Sequence, residues 1–189
     1  MHLILASQSP RRKEILEKLN MPFEVIPSTF EEDMTQDITP SELVQILAEG
    51  KATQVAKDYP EAVVIGSDTL VSFQGRVLGK PSSTAEATTM LQSLQGQENQ
   101  VLTGLCIMQY ATGFKQSLVE TTTVQMACMT EEEISSYVSS GEPMDKAGAY
   151  ALQGYGAVFI EKIEGDFFSA MGLPLRRVYQ VLNILFKSI

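Results

Sequence analysis

Leu3-Ile4-Leu5-Ala6-Ser7-Gln8-Ser9-Pro10-Arg11-Arg12 is the stretch on which the fold turns, because a short apolar run passes directly into a helix start. Leu3 to Ala6 has the length and character of a buried strand, and Ile15, Leu16 and Leu19 beyond it share one helical face. Ser9 suits the N-cap and Pro10 the first helical position, so the free N–H groups of the first turn face the preceding loop. Those donors, the helix dipole and the guanidinium groups of Arg11 and Arg12 together form an anion site. An ordinary capped surface helix with solvated arginines carries the same pattern, and the rest of the chain decides between the two.

The chain has 189 residues, 44% of them hydrophobic, which is enough for one good-sized core or for two lobes sharing a sheet. Its formal net charge of −9 (14 basic against 23 acidic residues) opposes stable nucleic-acid binding, so any polyanion must be met locally. Lys51 and Lys80, with Arg11 and Arg12, are the bases at loops and helix ends. No basic leader precedes a long apolar run and no stretch approaches the roughly 20 apolar residues of a membrane span, so a cytoplasmic protein without membrane contact is expected. Cys106 and Cys128 fall in strand-like runs without Cys-x-x-Cys spacing and read as buried reduced thiols. With His2 as the only histidine, at the very start of the chain, Ser-His-Asp and Cys-His catalysis are all but excluded, leaving proton chemistry to carboxylates or lysine.

Along the chain, Phe23 to Ile26 alternates as a strand, and Thr39-Pro40-Ser41-Glu42 is a capping box opening a helix with Leu43, Ile46, Leu47 and Val55 on one face and Lys51 along it. Ala62 to Ile65 reads as a buried strand ended by Gly66-Ser67-Asp68-Thr69, followed by a hairpin turning at Gln74-Gly75. Ser83 with Glu86 forms a second capping box, and strand-like runs from Gln100 to Tyr110 and Gln116 to Met126 follow the helix. Thr130 with Glu133 caps a short helix, Ala157 to Ile163 reads as a strand, and Pro174 starts a last amphipathic helix whose apolar face could serve a homodimer. The expected architecture is α/β: a mixed twisted sheet with long hairpins and flanking helices, in two lobes around a cleft, within a single domain spanning 1–189.

Asp68, a carboxylate at a strand end among hydroxyls, is the candidate base, although Gly-Ser-Asp-Thr also suits an Asx-turn. Lys80, between Gly79 and Pro81, suits phosphate or plain solvation, and Glu32 is either a magnesium ligand or part of a solvated acidic loop. Tyr150, Gln153 and Tyr155 could meet a base or simply anchor their loop to the core. There is no Gly-x-x-x-x-Gly-Lys-Ser/Thr, Gly-x-Gly-x-x-Gly or Gly-x-Ser-x-Gly motif, so P-loop, dinucleotide and nucleophile-elbow enzymes are set aside.

Taken in order, Ser7-x-Ser9-Pro10-Arg11-Arg12, Glu32, Lys51, Gly66-Ser67-Asp68-Thr69, Gly79-Lys80-Pro81, Lys146 to Gly154 and Gly172-Leu173-Pro174-Leu175 resemble the Maf family over the whole chain. That family is named for inhibition of septum formation and is related in fold to the inosine triphosphate pyrophosphatases. The resemblance implies a nucleoside triphosphate pyrophosphatase, releasing a monophosphate and pyrophosphate with a divalent cation, Mg2+ or Mn2+. It makes Asp68 the proton acceptor, with Lys51 and Lys80 beside it in catalysis and Ser7 and Arg11 on the substrate. Arg12, Thr69 and Gln153 would tune base choice toward dTTP and UTP, and Glu32 with Asp68 would hold the metal. A nucleotide-sensing regulator of cell division without turnover is the alternative that the same residues allow.

Overall fold

The computed structural model describes residues 2–186. Its strands are β1 (Leu3–Leu5), β2 (Glu24–Val25), β3 (Val63–Phe73), β4 (Arg76–Leu78), β5 (Glu98–Gln109), β6 (Phe114–Met126) and β7 (Ile160–Glu164). Its α-helices are α1 (Pro10–Glu17), α2 (Pro40–Asp58), α3 (Thr84–Leu94), α4 (Glu131–Ser139), α5 (Phe167–Ala170) and α6 (Leu175–Phe186). The strands form one mixed seven-stranded sheet in the order β2-β1-β3-β5-β6-β7, with β4 paired to β3. The chain divides into two compact units, Met1–Thr69 with Thr103–Glu120 and Phe168–Ile189, and Leu70–Leu102 with Thr121–Phe167.

In the first unit β1 pairs in parallel with both β2 and β3, Leu3 standing opposite Val63 and Leu5 opposite Ile65. Strand period sorts the side chains onto two faces. Leu3, Leu5, Val63, Ile65, Leu105 and Ile107 pack with Ile15 and Leu16 of α1 and Val178, Val181 and Leu182 of α6. On the other face Ile4, Ala6, Val64, Cys106 and Met108 pack with Ala48, Ala52, Val55 and Ala56 of α2. The apolar stripe of α6 therefore serves this chain's own core. Ile46, expected on the buried face of α2, is 41% exposed, because the small stripe of Ala48, Ala52 and Ala56 faces the sheet instead.

That stripe lies very close to the strands. A Cβ on Gly66 would meet the Ala48 carbonyl oxygen and lie 2.7 Å from the Ala52 nitrogen, and one on Gly104 would meet the Val44 carbonyl oxygen. Glycine at both positions lets the helix backbone rest directly on β3 and β5. The start of α2 is as expected, with the Thr39–Glu42 capping box formed and Pro40 at its first turn.

In the second unit the β3–β4 hairpin pairs Val71 with Leu78 and Phe73 with Arg76 across Gln74 (φ 51°) and Gly75 (φ 77°), the left-handed pair that a tight hairpin needs. Helix α3 packs on α4. The Thr130–Glu133 capping box is complete, whereas the Glu86 carboxylate reaches Ser82 instead of closing the box on Ser83. Two other expectations are corrected here. Tyr155–Phe159 forms a 3-10 turn and the strand begins only at Ile160, and Cys128 is exposed just beyond β6 while Cys106 is buried.

Gly66→Ala is expected to destabilise the protein by about 1–3 kcal/mol, since its methyl would meet backbone that cannot yield cheaply. Urea unfolding measures this, and an unchanged midpoint would contradict the close helix–strand approach.

Candidate active site

The site grows from β3. Read from its residues alone, Gly66-Ser67-Asp68-Thr69 ended the strand, yet β3 continues unbroken to Phe73. Asp68 is consequently a strand residue and not an Asx-turn aspartate. Alternation then decides what each side chain meets. Ser67 and Thr69 extend the face of Val63 and Ile65, whereas Gly66 and Asp68 extend the face of Val64, toward α2.

On the α2 face Lys51 reaches Asp68. Its Nζ donates to Asp68 Oδ1 and lies 2.7 Å from Glu32 Oε1, so one ammonium bridges two carboxylates. The side chains of Lys51 and Asp68 are 13% and 10% exposed, and Glu32 is 44% exposed at the rim. The seating of α2 on Gly66 makes this reach possible, because Lys51 lies between Ala48 and Ala52, the residues that Gly66 touches.

Arg12 crosses from α1. Its Nε donates to the Gly172 carbonyl at 2.9 Å, Nη1 to Ser7 Oγ at 3.3 Å and Nη2 to Thr69 Oγ1 at 3.3 Å. Nη2 is also 4.0 Å from Asp68 Oδ1. Burial lowers the pKa of the guanidinium and the Asp68 charge works against that shift. Ser67, on the same face as Thr69, shares its one hydroxyl hydrogen between the carbonyls of Gly104 (2.8 Å) and Gly172 (2.9 Å). Gly172 (φ 116°) thus accepts from two site residues, and a Cβ there would stand 3.4 Å from Arg12 Nε in a backbone conformation that L side chains rarely adopt. The Gly172-Leu173-Pro174-Leu175 motif thereby anchors Arg12 through the Gly172 carbonyl.

Ser7, Glu32, Lys51, Asp68, Arg12 and Thr69 are therefore brought together in the first unit, and Arg11 is exposed on the first turn of α1. Ser9 caps that helix as expected, accepting from the Arg12 N–H. Thr103 escaped the reading of the sequence: it is fully buried on β5, 3.0 Å from Thr69 Oγ1, and only three-dimensional pairing could reveal it.

Lys80 and Gln153 belong to the second unit, and both are exposed. The Gly79 carbonyl accepts from the Gly148 N–H at 3.1 Å, tying the Gly79-Lys80-Pro81 loop to the Lys146–Gly154 run. Tyr150 in that run is a core anchor, donating to Asn99 Oδ1 at 2.7 Å, whereas Tyr155 just beyond it is exposed and packs edge-on against Tyr137. Glu142 holds the far end of the run, accepting from the N–H groups of Tyr155 (3.0 Å) and Gly156 (2.7 Å). Although its burial alone would raise the pKa, the Gly156 N–H, the Tyr137 hydroxyl and the Tyr155 N–H draw Glu142 below the usual carboxylate range.

Against known proteins, residues 2–185 match the family described as Maf-like protein. The chain is 46% identical over 181 residues to a dTTP/UTP pyrophosphatase of Bacillus pumilus (strain SAFR-032), covering 96% of this chain and 95% of that one. It is 48% identical over 183 residues to a dTTP/UTP pyrophosphatase of Geobacillus sp. (strain WCH70), covering 97% of each. Among solved structures it is similar to the Staphylococcus aureus Ham1 protein, with a TM-score of 0.46 and 17% identity over 67% of this chain and 72% of that one. On the extent of the family match and of these identities, the chain belongs to the Maf family.

Proposed function

We propose that this protein is a nucleoside triphosphate pyrophosphatase acting on dTTP and UTP. The observation that carries the reading is the near-full-length identity to chains named dTTP/UTP pyrophosphatase, and the constellation around Asp68 supplies the chemistry. Water attacks phosphorus at the α,β-bridge, the bridging P–O bond breaks, pyrophosphate leaves and Asp68 takes the proton of the water. Such a reaction needs little covalent help and much charge compensation. Lys51 and Arg12 supply two cations beside Asp68, and their contacts hold the carboxylate in place. Ser7 and Arg11 complete the substrate contacts, Lys80 compensates phosphate charge, and Arg12, Thr69 and Gln153 select the base.

Glu32 and Asp68, which both direct a carboxylate oxygen at the Lys51 ammonium, offer the donor type that a hard divalent ion takes. Glu32 and Asp68 would hold Mg2+ or Mn2+, and the ion would add positive charge at the phosphate oxygens. A cytoplasmic site of action accompanies this reading; among the described residues no helix is long and apolar enough to cross a membrane.

A panel of nucleoside triphosphates, with pyrophosphate and orthophosphate detected separately, tests the assignment. UTP and dTTP should lead the purine nucleotides and pyrophosphate should be the product. Nucleotide binding without release of pyrophosphate would contradict it and leave a sensor. In the same assay Asp68→Asn should lower kcat by roughly a hundredfold or more while nucleotide binding, followed by calorimetry, survives. Turnover at the wild-type rate would remove Asp68 as the base. Chelation with EDTA should stop the reaction and Mg2+ or Mn2+ restore it, whereas full activity in EDTA would remove the metal.

A further inference from the structure

A hydroxyl carries one hydrogen and two lone pairs, so a chain of hydroxyls has a direction once one end of it is fixed. Thr103 Oγ1 donates to the Ser169 carbonyl at 2.8 Å, a bond that only its hydrogen can make. At the 3.0 Å contact between Thr69 Oγ1 and Thr103 Oγ1, Thr103 therefore has only a lone pair to offer, and Thr69 is the donor. Arg12 Nη2 donates to Thr69 Oγ1 at 3.3 Å and occupies one of its lone pairs. Thr69 is left with a single lone pair and no hydrogen. Toward anything else in the site it is an acceptor only.

We infer that Thr103 is a specificity-positioning residue, holding the Thr69 hydroxyl in an acceptor-only orientation that admits thymine and uracil and rejects cytosine. This rests on the proposed function and on Thr69 facing N3 of the base, since at position 4 the same acceptor would instead favour the cytosine amine. The distinction lies at N3 of the ring. Thymine and uracil present an N3–H donor there, which an acceptor satisfies. Cytosine presents a lone pair, and two lone pairs face each other with nothing between them. A hydroxyl free to rotate would donate to cytosine and discriminate poorly, whereas a fixed one rejects it, because the mismatch leaves buried polar groups unpaired. The relay is well placed to stay fixed, since Thr103 is fully buried and its acceptor is a backbone carbonyl.

The test is the ratio of kcat/KM for UTP to that for CTP. Thr103→Val removes the acceptor that holds the Thr69 hydrogen, and the ratio should fall about tenfold or more, through a gain on CTP as well as a loss on UTP. Thr103→Ser keeps the hydroxyl and should keep the ratio within about twofold. Should Thr103→Val fail to fold, Thr103→Cys takes its place, because a thiol still donates weakly to the carbonyl but is a poor acceptor for Thr69. A folded Val or Cys variant with the wild-type ratio would overturn the inference, and so would loss of the ratio in Thr103→Ser, which would assign the effect to packing. Wild-type protein that turns over no pyrimidine triphosphate would overturn the functional reading itself, a result read before any variant is made.

Discussion

Lys51 against Asp68, with Arg12 alongside, is the interaction on which the rest of the site depends. Three charges are held where water is scarce, the Arg12–Asp68 approach being 4.0 Å. At an effective dielectric near 20 two unit charges at that distance attract by about 4 kcal/mol, yet removing ions from water costs several kcal/mol for each. Replacing buried ion pairs by well-packed apolar residues is often neutral or stabilising. Retaining buried charge at the end of a well-formed core is therefore a mark of function, and the partners define what that function needs: a carboxylate oriented by two cations.

The cluster is assembled by close packing. Gly66 lowers α2 onto β3 so that Lys51 spans to Asp68 two residues further along, and Gly172 presents a carbonyl that fixes both Arg12 and Ser67. Strand alternation separates the chemistry into two faces. The Lys51–Asp68–Glu32 charge cluster lies on the Asp68 face, and the hydroxyl network of Ser67, Thr69 and Thr103 lies on the other. Arg12 touches both, lying near the Asp68 carboxylate and also donating to the Thr69 hydroxyl.

Local signals in the sequence were read well. Ser9 before Pro10 and the Thr39–Glu42 and Thr130–Glu133 boxes each describe a few consecutive residues whose side chains compete for the same backbone N–H groups. Asp68 was misplaced for the converse reason: Gly-Ser-Asp-Thr has turn composition, but pairing within the sheet overrides local preference and carries β3 through it. Hydrophobicity alone places Ile46 on the buried face of α2, whereas strands backed by glycine select the alanines of that helix and leave Ile46 exposed. Candidate site residues were found through their motifs, and their mutual contacts were not. Arg12 and Gly172 are 160 positions apart, and Thr103 bears no local mark beyond being one more threonine in a strand. The placement of Lys51 between two carboxylates likewise depends on helix packing and not on spacing in the chain.

A double-mutant cycle of Lys51→Met and Asp68→Asn, read by urea unfolding, tests most directly whether the two residues act as one buried unit. Lys51→Met takes from Asp68 its nearest cation and leaves it Arg12, Asp68→Asn takes from Lys51 its buried carboxylate and leaves it Glu32, and the double variant loses the shared contact only once, so the double should lose less stability than the two singles together, with a coupling of about 1 kcal/mol or more. Additive losses, agreeing within roughly 0.5 kcal/mol, would show the pair to be independent and would contradict the account of the site.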